Sequence, residues 1–328
     1  MNEVANRVFG KENRTYLMGI AILWIIFFHV YLWCDMSGIE TTRWIKMFNK
    51  GALGVDIFLL LSAFGLQASI EKHSVGKFYI NRIKRLFPVY FFFLLTLFLT
   101  FEYDCPIDRM YIQCVYQITG LSLFKYPEFF SCGFCFDWFT PAIIFLYLSF
   151  PLFSRAIVWI TKRGYLELIT LVLLVIVGVW IRENKHFPFG LFAIRLPILF
   201  LGVSAYLHLK RNENKRLLIV VLVAAILGLF SGNDEMRISL LLPPLLTLFA
   251  MIDVCLPFKR FVSLVGRYSF EVYLAHIFAV AFFIPMHAVT SIVLLFLIVV
   301  VSTALIATVY AYLHMSIHKI MSKSCNQK

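Results

Sequence analysis

The sequence is poor in charged residues. Only 15% of its 328 residues are Asp, Glu, Lys or Arg, against about a quarter in soluble domains. Hydrophobic residues make up 61% of the chain and aromatic residues 17%. This composition excludes an ordinary soluble domain and predicts a membrane protein with several spanning helices.

Acidic residues are scarcer than basic ones. The chain has 18 Asp and Glu against 30 Lys and Arg, a formal net charge of +12. Nucleic-acid-binding proteins carry such an excess, but here the basic residues occupy short segments between apolar runs, as membrane topology requires. We therefore expect membrane lipids, and no nucleic acid, among its partners.

The chain also lacks a linker, an internal repeat and a low-complexity tract. We therefore predict one membrane domain over residues 1–328. No A-x-A cleavage site follows the first apolar run, which we interpret as a retained helix rather than a signal peptide.

Metal-binding motifs are missing as well. Four of the seven cysteines lie in the only long outer loop, residues 102–135: Cys105, Cys114, Cys132 and Cys135. The last pair forms C-G-F-C, but neither a second C-x-x-C nor a nearby histidine accompanies it, so no metal is predicted. A structural disulfide and unpaired thiols both remain open for this loop.

Apolar runs of helix length predict an all-α bundle of about ten transmembrane helices. With the N-terminus inside, 21 of the 30 basic residues fall in inner segments and 8 in outer loops. That asymmetry is expected of ten spans with both termini cytoplasmic. The predicted spans are 17–33, 54–70, 88–101, 136–153, 166–181, 194–207, 217–230, 238–254, 268–284 and 291–313.

One ionisable residue, His29, lies near the end of the first apolar run, LMGIAILWIIFFHVYL. A charged imidazole is costly inside a membrane, and even a neutral one needs a polar partner. His29 is therefore a candidate functional residue. A neutral histidine hydrogen-bonded between helices, or one near the interface, is the alternative.

The second span and the segment after it carry further candidates. Asp56, Ala63 and Gln67 fall on one helical face, since 7 and 11 residues are close to whole numbers of turns. On the inner side, Arg82 and Arg85 are three residues apart and therefore neighbours on a helix. They could hold phosphates bidentately, or serve as topology anchors or lipid-headgroup contacts.

Six segments, in this order, make the chain resemble the acyltransferase-3 family of integral-membrane acyltransferases. The resemblance runs from about Arg14 to Leu313, and six segments in register are specific where each alone is weak. They are GIAILWIIFFH, GVDIFLLLSAFG, FYINRIKRLFPVY, DWFTPAIIFLYLSFPLF, RLPILFLG and GRYSFEVYLAH.

The resemblance implies transfer of an acyl group, usually acetyl, from cytoplasmic acyl-coenzyme A to a hydroxyl of a cell-surface or lipid-linked glycan. It also implies a multi-pass protein of a bacterial inner or plasma membrane. His29 matches the essential histidine of the family's first-span motif. Arg82 and Arg85 match its R-x-x-R motif, which favours the donor-phosphate interpretation.

The first span departs from the family pattern at one position. Relatives place an arginine eleven residues before the histidine, where this sequence has Met18. Arg14 matches a second family arginine, but at 1.5 Å per residue it lies about 22 Å from His29 along one straight helix. Arg14 is thus a candidate for the donor site at the inner surface, and the arginine-histidine linkage is in question.

These matches lead to a hypothesis for the chemistry. Coenzyme A would dock on Arg82 and Arg85, and neutral His29 would act as general base on the acceptor hydroxyl. Asp56 would orient the ring or stabilise the imidazolium, and a covalent acyl-histidine is the alternative.

Other polar residues give weaker signals. Arg195 and Trp138 match family positions near the outer side and could line an acceptor cleft, or be a snorkelling arginine and an aromatic-belt residue. His276, five residues after Glu271, is as well explained by a structural hydrogen bond as by a functional role.

Two other classes of function fit the same features. An exporter of glycans or lipid-linked sugars would also have ten spans with buried polar groups, but it would not need acyl-coenzyme A. A non-catalytic membrane partner would explain Met18, whereas the joint presence of His29, Asp56, Arg82 and Arg85 favours an enzyme.

Overall fold

A computed structural model describes residues 9–36, 47–100, 106–124, 137–184, 188–251, 258–283 and 292–325. These residues form helices and connecting turns, and no strand occurs among them. Their α-helices, in chain order, are α1 Lys11–Met36, α2 Leu53–Lys72, α3 Val75–Thr100, α4 Ile107–Thr119, α5 Phe139–Thr161, α6 Gly164–Asn184, α7 Phe189–Ala193, α8 Leu196–Arg211, α9 Asn214–Phe230, α10 Asp234–Met251, α11 Lys259–Arg267, α12 Ser269–Phe283 and α13 Ile292–Cys325.

The all-α prediction for a polytopic membrane protein is confirmed in this part of the chain. Seven described helices are long and apolar enough to cross a membrane, and α12 is a shorter apolar helix. The count of ten spans and the cytoplasmic termini stay predictions. The seven candidate spans are Asn13–Asp35, Leu53–Lys72, Val75–Thr100, Phe139–Thr161, Gly164–Asn184, Phe189–Arg211, which combines α7 and α8, and Leu294–Ile317.

The chain divides into two compact units. The first consists of Met1–Arg14, Asp56–Tyr79 and Tyr103–Pro257, and the second of Thr15–Val55, Ile80–Glu102 and Phe258–Lys328. Each unit is described by itself below. The assignment of residues 1–328 to one domain stays a prediction.

Several helices extend beyond the predicted span bounds, as α5 and α13 do at their C-terminal ends, and two differences bear on candidate site residues. The third span was predicted to begin at Pro88, but α3 begins at Val75 and contains Pro88. The R-x-x-R arginines therefore lie within the helix. The sixth is interrupted, because a turn at Ile194 and Arg195 separates α7 from α8, and Arg195 has φ −97° and ψ 0°.

The long outer loop contains a helix that was not predicted. In α4, Tyr111, Ile112 and Val115 are exposed, whereas Gln113 and Gln117 are buried. An apolar outer face on a short helix between two spans suits a membrane interface. The helix ends at Gly120, whose φ of 79° is left-handed, a conformation that glycine adopts without steric cost.

Of the loop cysteines, Cys114 lies in α4 as a free thiol, and burial raises its pKa. Cys105, Cys132 and Cys135 lie outside the described residues, so the disulfide question stays open.

In the first unit, the polar face predicted for α2 is confirmed as a buried face. Asp56, Ala63 and Gln67 are each at most 3% exposed. The hydroxyl of Ser154 in α5 donates a 2.8 Å hydrogen bond to Gln67 Oε1. Helix α8 crosses the same face at Gly202, where a Cβ would lie 2.8 Å from Ala63 Cβ.

In the second unit, α1 and α11 cross with their backbones in contact. A Cβ on Gly19 would lie 2.8 Å from Val262 Cγ1, and one on Gly266 would lie 2.6 Å from the backbone nitrogen of Gly19. Real Cβ atoms essentially never come this close. Only glycine fits at either position without moving the helices apart.

Helix α12 is the buried centre of this unit. Eleven of its residues, among them Glu271, Tyr273 and His276, are buried, and it packs along α13. Two ionisable side chains on a buried apolar helix need polar partners, and these partners define the candidate site.

Candidate active site

The side chain of His29 lies in α1, two turns before the helix end. Its Nδ1 is 3.0 Å from the carbonyl oxygen of Ile25, one turn earlier in the same helix. A carbonyl can only accept, so Nδ1 carries the hydrogen and donates it. In the neutral ring, Nε2 then holds the lone pair, and no described residue hydrogen-bonds to Nε2.

His276 in α12 is the second partner of His29. It is completely buried, and its Nε2 lies 3.1 Å from His29 Nδ1. Since that nitrogen already carries the hydrogen, His276 Nε2 accepts and the Nδ1–H is shared between two acceptors. The ring of Tyr273 packs edge-on against His276 with centroids 5.2 Å apart.

The contact with His276 shows that His29 makes a hydrogen bond between helices, which was the structural alternative to a functional role. This bond uses only Nδ1, so no described residue occupies Nε2.

In the first unit, Asp56 is held by two groups. Arg195 Nε lies 3.4 Å from Asp56 Oδ1, and the hydroxyl of Ser239 donates to the same oxygen over 3.1 Å. Asp56 and Arg195 are 3% and 4% exposed. A buried carboxylate so paired keeps its charge balanced, which is the condition for burying it at all.

Trp138 belongs to the same group. The guanidinium carbon of Arg195 lies 5.5 Å from the centroid of the Trp138 ring, within cation–π range. Asp137 places the tryptophan, because its Oδ1 accepts hydrogen bonds from the first backbone N–H groups of α5, those of Phe139 and Thr140. Arg195 also donates from Nη1 to the carbonyl of Leu191 over 2.7 Å.

The predicted donor arginines fall in different units. Arg82 and Arg85 lie in α3 within the second unit. Arg85 lines a cavity of about 270 Å³ between α3, α11, α12 and α13. Arg14 belongs to the first unit, where its Nη1 would be 3.1 Å from a Cβ on Gly65.

The structure thus groups the predicted residues as follows. Asp56, Arg195 and Trp138 meet in the first unit, and His29 pairs with His276 in the second. The described hydrogen bonds of His29 go to Ile25 and His276. The role predicted for Asp56 in orienting His29 stays a prediction.

Sequence reasoning missed Ser239, Arg267 and His314. His314 directly follows the predicted tenth span, 291–313, but it lies within the apolar helix Leu294–Ile317, where any ionisable residue is a candidate for function. Arg267 stood in the quoted GRYSFEVYLAH segment. Nothing in the sequence around Ser239 indicated that it faces Asp56.

Long apolar helices with buried ionisable pairs define a multi-pass membrane protein. The family model described as an acyltransferase domain matches residues 15–312, and the chain therefore belongs to the acyltransferase-3 family of membrane acyltransferases. This confirms the resemblance drawn from the six segments.

A distant relative carries a matching name. The chain is 26% identical over 186 residues to "Putative acetyltransferase ORF330" of Acidianus two-tailed virus, an alignment that covers 55% of this chain and 48% of the viral protein. The chain thus spans about half the length of this curated relative. No solved structure matches the chain.

Proposed function

We propose that the protein transfers an acyl group, usually acetyl, from cytoplasmic acyl-coenzyme A to a hydroxyl of a cell-surface or lipid-linked glycan. It would work in a bacterial inner or plasma membrane. The observation that carries the proposal is the hydrogen bonding of His29, whose Nδ1–H is committed to Ile25 and His276. A neutral histidine held in this way presents the Nε2 lone pair that a general base needs.

The proposed step is attack of the acceptor hydroxyl on the thioester. The hydroxyl oxygen bonds to the carbonyl carbon while its proton passes to His29 Nε2. The carbon–sulfur bond then breaks, and coenzyme A leaves as a thiolate that takes up the proton. The imidazolium formed in between keeps its Nδ1–H bonds to Ile25 and His276, so His276 is a positioning residue for the ring.

The same lone pair supports the covalent alternative. If Nε2 attacks the thioester, an acyl-histidine forms and coenzyme A leaves before the acceptor arrives. Incubation with labelled acetyl-coenzyme A in the absence of acceptor distinguishes the two routes, because only the covalent one leaves label on the peptide that contains His29.

For the donor, we propose that Arg82 and Arg85 bind the phosphates of coenzyme A, with Arg14 contributing at the inner surface. Guanidinium groups recognise phosphate oxygens bidentately. Their place in segments predicted to be cytoplasmic supports this role, since coenzyme A is available on that side.

For the acceptor, we propose the group formed by Arg195, Trp138 and Asp56. An indole ring offers a flat apolar face and a guanidinium offers several donors, a combination suited to a sugar with its hydroxyls. Asp56, through its 3.4 Å contact, would hold Arg195 in the orientation that the acceptor meets.

The direct test is to incubate membranes with labelled acetyl-coenzyme A and to analyse surface glycans by mass spectrometry. His29→Ala should abolish the label while the protein still inserts. The matched control is His73→Ala, because His73 makes the same ring-to-carbonyl hydrogen bond, 3.0 Å to Ser69, but is exposed at the end of α2. Appreciable turnover by purified His29→Ala protein would overturn the base assignment.

A further inference from the structure

The cavity at Arg85 has a second arginine in its wall. It measures about 270 Å³, and all its lining residues belong to the second unit. They are Arg85, Arg267, Tyr268, Phe270, Glu271, His314 and Met315.

Neither arginine has a partner among the described residues. No hydrogen bond or ion pair with the described part of the chain involves the guanidinium of Arg85 or that of Arg267, and both side chains are exposed. Two unpaired guanidinium groups in the wall of one small cavity make that wall electropositive, and an anion is the ligand that such a wall attracts.

Among the described residues that line the cavity, the one acid is already engaged. Glu271 Oε1 accepts a hydrogen bond from His314 Nδ1 over 2.7 Å, and the carboxylate is buried. The other ring nitrogen, Nε2, lies 3.4 Å from the carbonyl of Lys84. Glu271 is therefore paired with His314 and with neither arginine, so no described carboxylate in the wall offsets the charge of Arg85 and Arg267.

The size of the cavity limits what it can take. Pockets that enclose a whole drug-sized ligand measure about 300–1,000 Å³, so this one holds only part of a molecule as large as coenzyme A. A phosphate ester fits its chemistry, because the planar fork of arginine matches phosphate oxygens. The cavity lies where three predicted spans meet the cytoplasmic side, because Arg85 and Arg267 belong to predicted inner segments and Glu271 lies near the inner end of the predicted ninth span.

We propose that Arg267 and Arg85 form one site for a phosphate ester, in which the two guanidinium groups bind oxygens of the same phosphate. If the bound phosphate is one of coenzyme A, this proposal rests on the proposed function. A phospholipid headgroup offers the same chemistry from a second source. The hydrogen bond from His314 engages the Glu271 carboxylate, so that it does not pair with either arginine in place of the phosphate.

The test measures binding of acetyl-coenzyme A to the purified full-length chain in nanodiscs of zwitterionic lipid. Arg267→Ala should weaken binding by about ten- to a hundredfold, and Arg85→Ala should do the same. Arg260→Ala is the matched control. It removes the same charge from an exposed position of α11 that does not line the cavity, so its affinity should stay within about twofold of wild type.

A second arm identifies a lipid source. Binding of nanodisc-incorporated anionic phospholipid is compared between wild type, Arg267→Ala and Arg260→Ala. A loss specific to Arg267→Ala, with acetyl-coenzyme A binding unchanged, supports the phosphate-ester site and assigns it to a headgroup. Equal behaviour of Arg267→Ala and Arg260→Ala in both arms overturns the proposal.

The design separates this inference from the proposed function. If wild type and Arg267→Ala bind acetyl-coenzyme A equally tightly, and the lipid arm is also unaffected, only the assignment of Arg267 to the phosphate site is wrong. If the wild-type protein binds no acyl-coenzyme A, the donor assignment itself fails, and the lipid arm alone tests the cavity. His29→Ala should still bind acetyl-coenzyme A, which would show that the measured affinity does not depend on acyl transfer.

Discussion

Replacing His276 tests the arrangement on which the proposed chemistry depends. In His276→Leu, a side chain of comparable bulk keeps the buried site filled but removes the acceptor 3.1 Å from His29 Nδ1. The Ile25 carbonyl still holds the hydrogen, so the neutral ring should keep its tautomer. What is lost is one of two acceptors for the imidazolium that forms in the transition state.

The size of the effect follows from that loss. A hydrogen bond to a charged group contributes about 1.5–3 kcal/mol, and each 1.36 kcal/mol is tenfold in rate. We therefore expect kcat to fall by about 10- to 150-fold. KM for the donor should be unchanged, because His276 is assigned no contact with it.

The assay follows the initial rate of label transfer from acetyl-coenzyme A by purified protein, once the labelled glycan is known. His276→Gln is the conservative variant, because its amide oxygen can accept the same hydrogen bond and should restore much of kcat. If His276→Leu turns over within twofold of wild type, or if Gln restores nothing while both variants bind donor normally, His276 does not act through His29.

Two further predictions concern the first unit. Arg195→Met leaves the charge of Asp56 buried without its cation and should lower the free energy of unfolding by about 3–5 kcal/mol, which size-exclusion chromatography would show as a sharp fall in folded protein. Adding Asp56→Asn should recover part of the yield, and no recovery would contradict the pairing. Gly202→Ala forces α8 away from α2 and should lower the stability by about 1–3 kcal/mol, measured by thermal unfolding in detergent. The control is Gly164→Ala, whose added Cβ meets no atom within 4 Å and should leave the stability unchanged. Equal melting temperatures of the two variants would show that α8 and α2 are not in close contact.

The broad architecture was predictable because it depends on periodicity and solvent. Apolar runs of sufficient length must be helical in a membrane, and the face of α2 with Asp56 and Gln67 followed from 3.6 residues per turn alone. The break at Arg195 was not predictable, since a continuous apolar run can hide a turn whose cost is met by tertiary contacts. The helix α4 was missed because its exposed face is apolar and its buried face carries glutamines, the reverse of the soluble pattern.

The sequence allowed the candidate residues to be proposed one by one, but not their pairing. The sequence marked His29 and Asp56 because ionisable residues at membrane depth are rare. The family motifs pointed to the remaining candidates, which are Arg82, Arg85, Arg14, Trp138 and Arg195. Neither could assign partners. His276 lies 247 positions from His29, and Glu271 pairs with His314 rather than with His276 on its own helix. Such contacts depend on which helices become neighbours, and local sequence does not encode that.

The backbone crossing of α1 and α11 has a mechanical consequence. Where side chains interlock, helices absorb small displacements by changing rotamers, but at Gly19 and Gly266 there is nothing between the two backbones to yield. Because His29 lies ten residues after Gly19 in α1 and Arg267 directly follows Gly266 in α11, this crossing fixes the spacing of the two helices that carry them. A larger side chain at either glycine would push the two helices apart and so shift the histidine and the cavity relative to each other.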